Sequence, residues 1–226
     1  TLSPSSAASD VYKRQVLNYL AMIFRLAISF GFVIVITRRL SIEEFALWAI
    51  VMSLVNYPLM PVDFWSYWCS RSVARKRPRS LGSGFVVTML YLPIAVLVYF
   101  ILTYVMVLFV IGWGLEVALL YGCPLLIVMI LRRFLNSILE ATVPEALGYT
   151  ALIYNGLRLP LAFGLVVMAY LGLKGAILAI SLAHLAACLA GSYFLYRKGW
   201  KWDGVDLSLP KAWFKGFSIP LLSIVR

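Results

Sequence analysis

Acidic residues are scarce in this chain: nine Asp+Glu stand against 20 Lys+Arg in 226 residues, and all charged types together reach only 13%. A soluble domain clothes its core with about a quarter charged residues, so this composition excludes an ordinary cytosolic protein. Histidine occurs once, and Cys69, Cys123 and Cys188 lie far apart in apolar stretches. No CxxC or Cys/His spacing is left for a metal or redox centre, and no metal or cofactor is expected. Also missing are G-x-S-x-G, H-E-x-x-H, a Gly-rich phosphate loop and an Asp-x-Asp pair. These carry hydrolase, metalloprotease, nucleotide and nucleotide-sugar chemistry, so no enzyme activity is expected.

Apolar residues make up 63% of the chain, and the mean hydropathy is +0.93. They come in runs too long for soluble helices, which makes lipid the solvent. The expected fold is an all-α membrane protein with six transmembrane helices and the start of a seventh. The spans are read as Val16–Ile36, Ile42–Trp68, Phe85–Ile111, Leu115–Leu131 (continuing past Arg132 and Arg133 as an amphipathic stretch to Glu140), Leu147–Leu171 and Leu173–Tyr196. Gly112-Trp113-Gly114 and Gly172-Leu173-Lys174 supply tight turns between helices. Residues 1–15 read as a non-native or disordered leader, because SSAASDVYKRQ resembles translated adaptor read-through at the edge of a reading frame. Residues 16–196 form the six-helix lobe, 197–211 a basic loop, and 212–226 the start of a seventh helix. Both ends read as truncated.

The net charge of +11 points to the membrane rather than to nucleic acid, since cytoplasmic loops retain Lys and Arg. One side carries Arg71, Arg75, Lys76, Arg77 and Arg79, then Arg132 and Arg133, then Arg197, Lys198, Lys201, Lys211 and Lys215. The other carries Arg38, Arg39 and Lys174. Twelve against three places the amino end in the cytoplasm of a multi-pass protein of the cell membrane. Attraction of the Arg71–Arg79 run to anionic headgroups is a secondary reading.

Ionisable residues inside spans mark candidate sites. Arg25 lies about 13 Å along the first helix, where a charge costs at least about 2.5 kcal/mol and should face protein or a wet cavity. It either pairs with a carboxylate or carbonyl on a neighbouring helix or binds phosphate. Asp63 follows Pro58 and Pro61, which are expected to break the second helix. It therefore either caps the segment Phe64–Arg77, pairs with Arg25, or carries a coupling proton. Arg158 either snorkels to the boundary or lines a cavity, and Pro160 with Gly164 permits a kink beside it. His184, among small residues, is either a hydrogen-bonded packing residue or a proton relay. Glu140 and Glu145 read as solvated.

Three segments then resemble one family. Arg39-Leu40-Ser41-Ile42-Glu43-Glu44-Phe45-Ala46-Leu47-Trp48-Ala49 is similar to the R-x-L-G-x-x-x-[FY]-G-x-[YW]-A segment of polysaccharide flippases. These form the O-antigen and teichoic-acid exporter (Wzx-like) branch of the multidrug/oligosaccharidyl-lipid/polysaccharide superfamily. Asp63-Phe64-Trp65 followed by Ser70-Arg71-Ser72-Val73-Ala74-Arg75 resembles the D-x-G … x-R-x-x-A end of that family's second helix. Leu171-Gly172-Leu173-Lys174-Gly175-Ala176-Ile177-Leu178-Ala179 is similar to its G-L-x-G-A-x-x-A turn. Ser41, Ala46 and Trp65 stand where the family pattern has glycine.

The resemblance implies two pseudo-symmetric six-helix lobes around a cavity of alternating access, of which this sequence supplies one. The implied function is flipping of lipid-linked oligosaccharide or polysaccharide precursors. The implied partners are a polyprenyl phosphate or pyrophosphate glycan, membrane lipids and a C-terminal lobe of the same chain. Arg25 occupies a first-helix position of the kind used for the phosphate, and Arg158 is a second candidate. A guanidinium suits that anion because it binds phosphate bidentately. The alternatives are a cation-coupled multidrug exporter of the same superfamily, which would favour acidic cavity residues, and a membrane partner of glycan biosynthesis that does not itself transport.

Overall fold

The computed structural model describes residues 23, 25–199 and 204–213. Helix α1 occupies residues 25–39. It is followed by α2 (Ile42–Ala74), α3 (Ser80–Met106), α4 (Leu115–Thr142), α5 (Pro144–Ala162) and α6 (Gly172–Arg197). A short helical stretch covers residues 208–213. The beginning of the expected first span and most of the seventh lie outside the described residues. Among the described residues, five helices, α2 to α6, are long and apolar enough to cross a membrane.

The boundaries follow local chemistry. Ser41 caps α2: its hydroxyl accepts from the Glu44 amide at 3.1 Å, and Glu44 accepts from the Ser41 amide at 3.1 Å. Losing such a cap costs about 1 kcal/mol. At the same end, Gly112 and Gly114 both have φ near +79°, a conformation that penalises any Cβ. A Cβ on Gly114 would strike Leu47 of α2, and one on Gly172 would meet Glu44 at 2.8 Å. The α3–α4 and α5–α6 connections therefore close down onto the first turns of α2. The second connection is Ala169-Tyr170-Leu171, three residues before the expected Gly172-Leu173-Lys174 turn, and Gly172 opens α6 one residue before the expected start.

Two expectations about α2 are corrected. Pro58 and Pro61 lie inside an unbroken 33-residue helix, and Asp63 is a mid-helix residue, so it caps nothing. Each proline forfeits one backbone hydrogen bond, but packed neighbours hold the turn. The Tyr91 hydroxyl of α3 donates to the Pro58 carbonyl at 2.8 Å, and the Trp65 indole of α2 donates to Thr88 of α3 at 3.1 Å. Trp65 is thus a packing residue. Similarly, α4 runs on to Thr142, so Arg132 and Arg133, counted above as loop residues, lie within a helix. The kink allowed beside Pro160 takes the form of a π-helical turn over Phe163–Met168, and α3 ends in another over Val107–Ile111.

Helices α2 and α4 form the centre of the bundle, with α3 against both and α6 against α4 and α5. Leu47, Val51, Val55 and Val62 of α2 meet Leu125, Leu126 and Ile130 of α4 in a single buried cluster. Small residues let helices approach closely: a Cβ on Gly122 of α4 would collide with Tyr99 of α3, whose buried hydroxyl donates to the Ala118 carbonyl at 2.9 Å. At the basic end, the Ser83 hydroxyl of α3 lies within 2.9 Å of both the amide and the carbonyl of Asp206. The Trp213 indole donates to Ser72 at 3.3 Å. The segment after α6 is thereby clipped across the start of α3 and the end of α2.

Candidate functional site

Five helices bring polar and aromatic side chains together deep in the lobe, on helix faces defined by i, i+3 and i, i+4 spacing. Helix α1 contributes Ser29 and Phe32, and α2 contributes Trp48 and Met52. Helix α4 supplies Met129 and Arg132, α5 Tyr154 and Arg158, and α6 Ile180 and His184. Along α5 and α6, Arg158 and His184 lie about 20 Å from the basic ends of their helices, well inside a hydrocarbon core of about 30 Å. A cavity of about 210 Å3 opens among them, and none of its lining residues is a carboxylate.

Arg158 does not snorkel. Its Nη2 donates to Ser29 Oγ at 2.8 Å and its Nη1 to the Tyr154 hydroxyl at 3.2 Å, and the guanidinium lies 4.7 Å from the centre of the Phe32 ring. Arg132 Nη1 lies 2.7 Å from His184 Nδ1, with its guanidinium 4.2 Å above the Tyr154 ring. A guanidinium only donates, so Nδ1 is the accepting nitrogen and His184 is neutral in this arrangement, with its proton on Nε2. The Tyr154 and His184 rings also contact each other at 4.4 Å. Aromatic faces thus hold two like charges near one another, each cation–π contact supplying roughly 0.5–2 kcal/mol.

Two donors in the cavity wall are left over. The Trp48 indole Nε1 and Arg158 Nε are buried and have no hydrogen-bond partner among the described residues. A buried unsatisfied donor costs about 1–3 kcal/mol. The wall therefore offers positive charge and spare N–H groups, which complements an anion and repels a cation.

The remaining candidates fall elsewhere. Arg25 is exposed on α1, with no hydrogen-bond or ion-pair partner among the described residues. It precedes Ser29 by four residues and so stands on the same face of α1, about 6 Å nearer the basic end. Asp63 does not pair with Arg25. It receives a two-point ion pair from Arg133, Nε to Oδ1 at 2.6 Å and Nη2 to Oδ2 at 2.7 Å, with both side chains about half exposed. Arg71, Arg75, Lys76, Arg77 and Arg79 all lie exposed at the α2–α3 turn, Arg71 over the Tyr67 ring at 5.1 Å. Glu140 and Glu145 are exposed as expected. Sequence reasoning missed Arg132 and Trp48 as members of the cluster. The signal was the i, i+4 pairing of Trp48 with Met52 and of Ile180 with His184, which becomes informative once the helices are known to face one another.

No family model matches the chain, and no curated protein matches its sequence. Among solved structures, the crystal structure of a MATE mutant is similar over 84% of this chain, with a TM-score of 0.55 and 17% sequence identity. The match covers 46% of that protein, so this chain spans less than half its length. The described helices thus have the fold of one lobe of a MATE-type membrane protein.

Proposed function

We propose that this chain is one lobe of an exporter that moves lipid-linked oligosaccharide or polysaccharide precursors across the cytoplasmic membrane by alternating access. The observation that carries the reading is a carboxylate-free pocket lined by Arg158 and His184 and backed by Arg132, within the membrane-spanning bundle of a transporter-like fold. A phosphate or pyrophosphate entering hydrocarbon needs paired cations, and guanidinium supplies them with bidentate geometry. Arg25, one turn closer to the basic end, is positioned to meet the headgroup first and pass it to Arg158. The basic end is cytoplasmic in this reading, and a second lobe completes the cavity.

A cation-coupled multidrug exporter is the second reading, favoured by the likeness to a MATE structure. It needs an ionisable acid free to exchange its cation. Asp63 is the intramembrane carboxylate on offer, and Arg133 already neutralises it.

The deciding experiment uses the complete protein in proteoliposomes and measures translocation of a polyprenyl-pyrophosphate oligosaccharide beside efflux of a cationic dye. Arg25→Ala and Arg158→Gln are expected to lower lipid flipping at least tenfold while insertion is retained. Wild-type flipping by both well-folded variants would remove the phosphate assignment. Dye efflux that depends on Asp63 would establish the multidrug reading instead.

A further inference from the structure

An apolar crevice of about 520 Å3 is lined by residues of α3, α4 and α6. Its walls include Leu81 and Phe85 of α3, Leu131 and Ile138 of α4, and Leu185 through Tyr196 of α6. Phe85, Leu185, Leu189 and Tyr196 are exposed along it, so it opens sideways. Leu185 to Tyr196 spans about 16 Å of helix, roughly the depth of one leaflet of a hydrocarbon core about 30 Å thick. The crevice begins at the basic end and stops at mid-bundle.

Charge is arranged to match. Arg197 and Lys198 directly follow Tyr196 at the mouth, and both are exposed. Two residues before the lining residue Leu81 of α3 comes Arg79, at the end of the basic α2–α3 turn and beside Gly204. A phosphate-bearing headgroup gains from such a cluster at a membrane surface, while a hydrocarbon chain gains by filling an apolar slot of one-leaflet depth.

We infer that this crevice is a binding site for an anionic membrane phospholipid, with an acyl chain between α3, α4 and α6 and the phosphate at Arg197, Lys198 and the α2–α3 turn. The crevice shares no lining residue with the pocket around Arg158, and it does not depend on the export reading. Its occupant comes from the surrounding leaflet and stays there.

The test places the full chain in nanodiscs containing phosphatidylglycerol or phosphatidylcholine with the same photoactivatable acyl chain, and maps the adducts by mass spectrometry. Adducts should concentrate on Leu185, Cys188 and Leu189, with phosphatidylglycerol favoured about thirtyfold, the scale expected of two surface cations. Arg197→Gln with Lys198→Gln should bring the two lipids toward parity without moving the adducts. Leu189→Trp, at an exposed position that tolerates bulk, should clear them from the crevice. Equal labelling of Leu97, Phe100 and Leu152 on other exposed faces, equal use of the two lipids, or no crevice adducts at all would each overturn the assignment.

Discussion

Arg133 of α4 and Asp63 of α2, 70 residues apart in sequence, join through two parallel hydrogen bonds of 2.6 and 2.7 Å. Immediately before it, Arg132 turns to His184 on α6. Adjacent residues on a helix point about 100° apart, so α4 sends one cation inward and one to the half-exposed flank. Water-exposed ion pairs couple by roughly 1 kcal/mol or less. Half exposure and the two-point geometry should lift this pair above that range. A double-mutant cycle of Asp63→Asn and Arg133→Gln, read by thermal unfolding in lipid nanodiscs, is expected to exceed about 1 kcal/mol. A coupling near zero would place the pair in bulk water.

Tyr154 performs two separable tasks. Its hydroxyl accepts from Arg158, and its ring carries the Arg132 guanidinium and touches His184. Tyr154→Phe should cost about 1.5–3 kcal/mol, the net worth of one hydrogen bond to a charged group. Tyr154→Ala should cost at least about 3 kcal/mol, because it adds a cavity and exposes two cations to each other. Equal losses for both variants in a denaturation series would mean that the ring does not bridge the arginines.

Close helix approach makes a third stability prediction. The glycine at position 122 leaves room for Tyr99, and that at 84 leaves room for Cys69 and Phe134. Gly122→Leu should destabilise the bundle by about 1–3 kcal/mol or more through overpacking. Gly148→Leu meets nothing within 4 Å of its Cβ and should be close to neutral. Measured melting temperatures that rank the two the other way would contradict the α3–α4 packing.

The clip after α6 should respond to acid. The Ser208 hydroxyl and then its amide hold the Asp206 carboxyl below its ordinary value of 3.8. A depressed folded value means the carboxylate stabilises the clip fully above that ordinary value, and the contribution fades as pH falls through the lowered one. Hydrogen exchange at the Ser208 amide, corrected for its intrinsic pH dependence, should therefore accelerate below about pH 4. Asp206→Asn should flatten that dependence. Protection that increases on acidification would show that the bond to Ser208 does not form.

Much of the bundle is legible in the sequence because lipid demands long apolar runs, and two glycines around Trp113 mark a turn that no other residue pair would form as readily. The continuity of α2 is not legible. Two prolines read as breakers by the rules of helices in water, whereas here Tyr91 and the packed flanks of α3 and α4 hold the turn. Arg132-Arg133 reads as the end of a span for a similar reason, since each charge finds its partner on a helix distant in sequence. Arg158 was recognisable as an intramembrane cation, but its company was not. Ser29 lies 129 residues away, and only folding brings the two together.

The π-helical turns have a consequence for how the gene can change. In each, an amide reaches back five residues, Gly112 to Val107 and Ala169 to Gly164, so each turn holds one residue more than α-geometry requires. Excising a single residue from Val107–Ile111 or Phe163–Met168 lets an ordinary α turn close over the gap and keeps every flanking side chain on its face. The same excision earlier in α3 or α5 rotates all that follows by about 100°. Single-codon deletions should therefore be tolerated at these two sites and rejected along the rest of both helices.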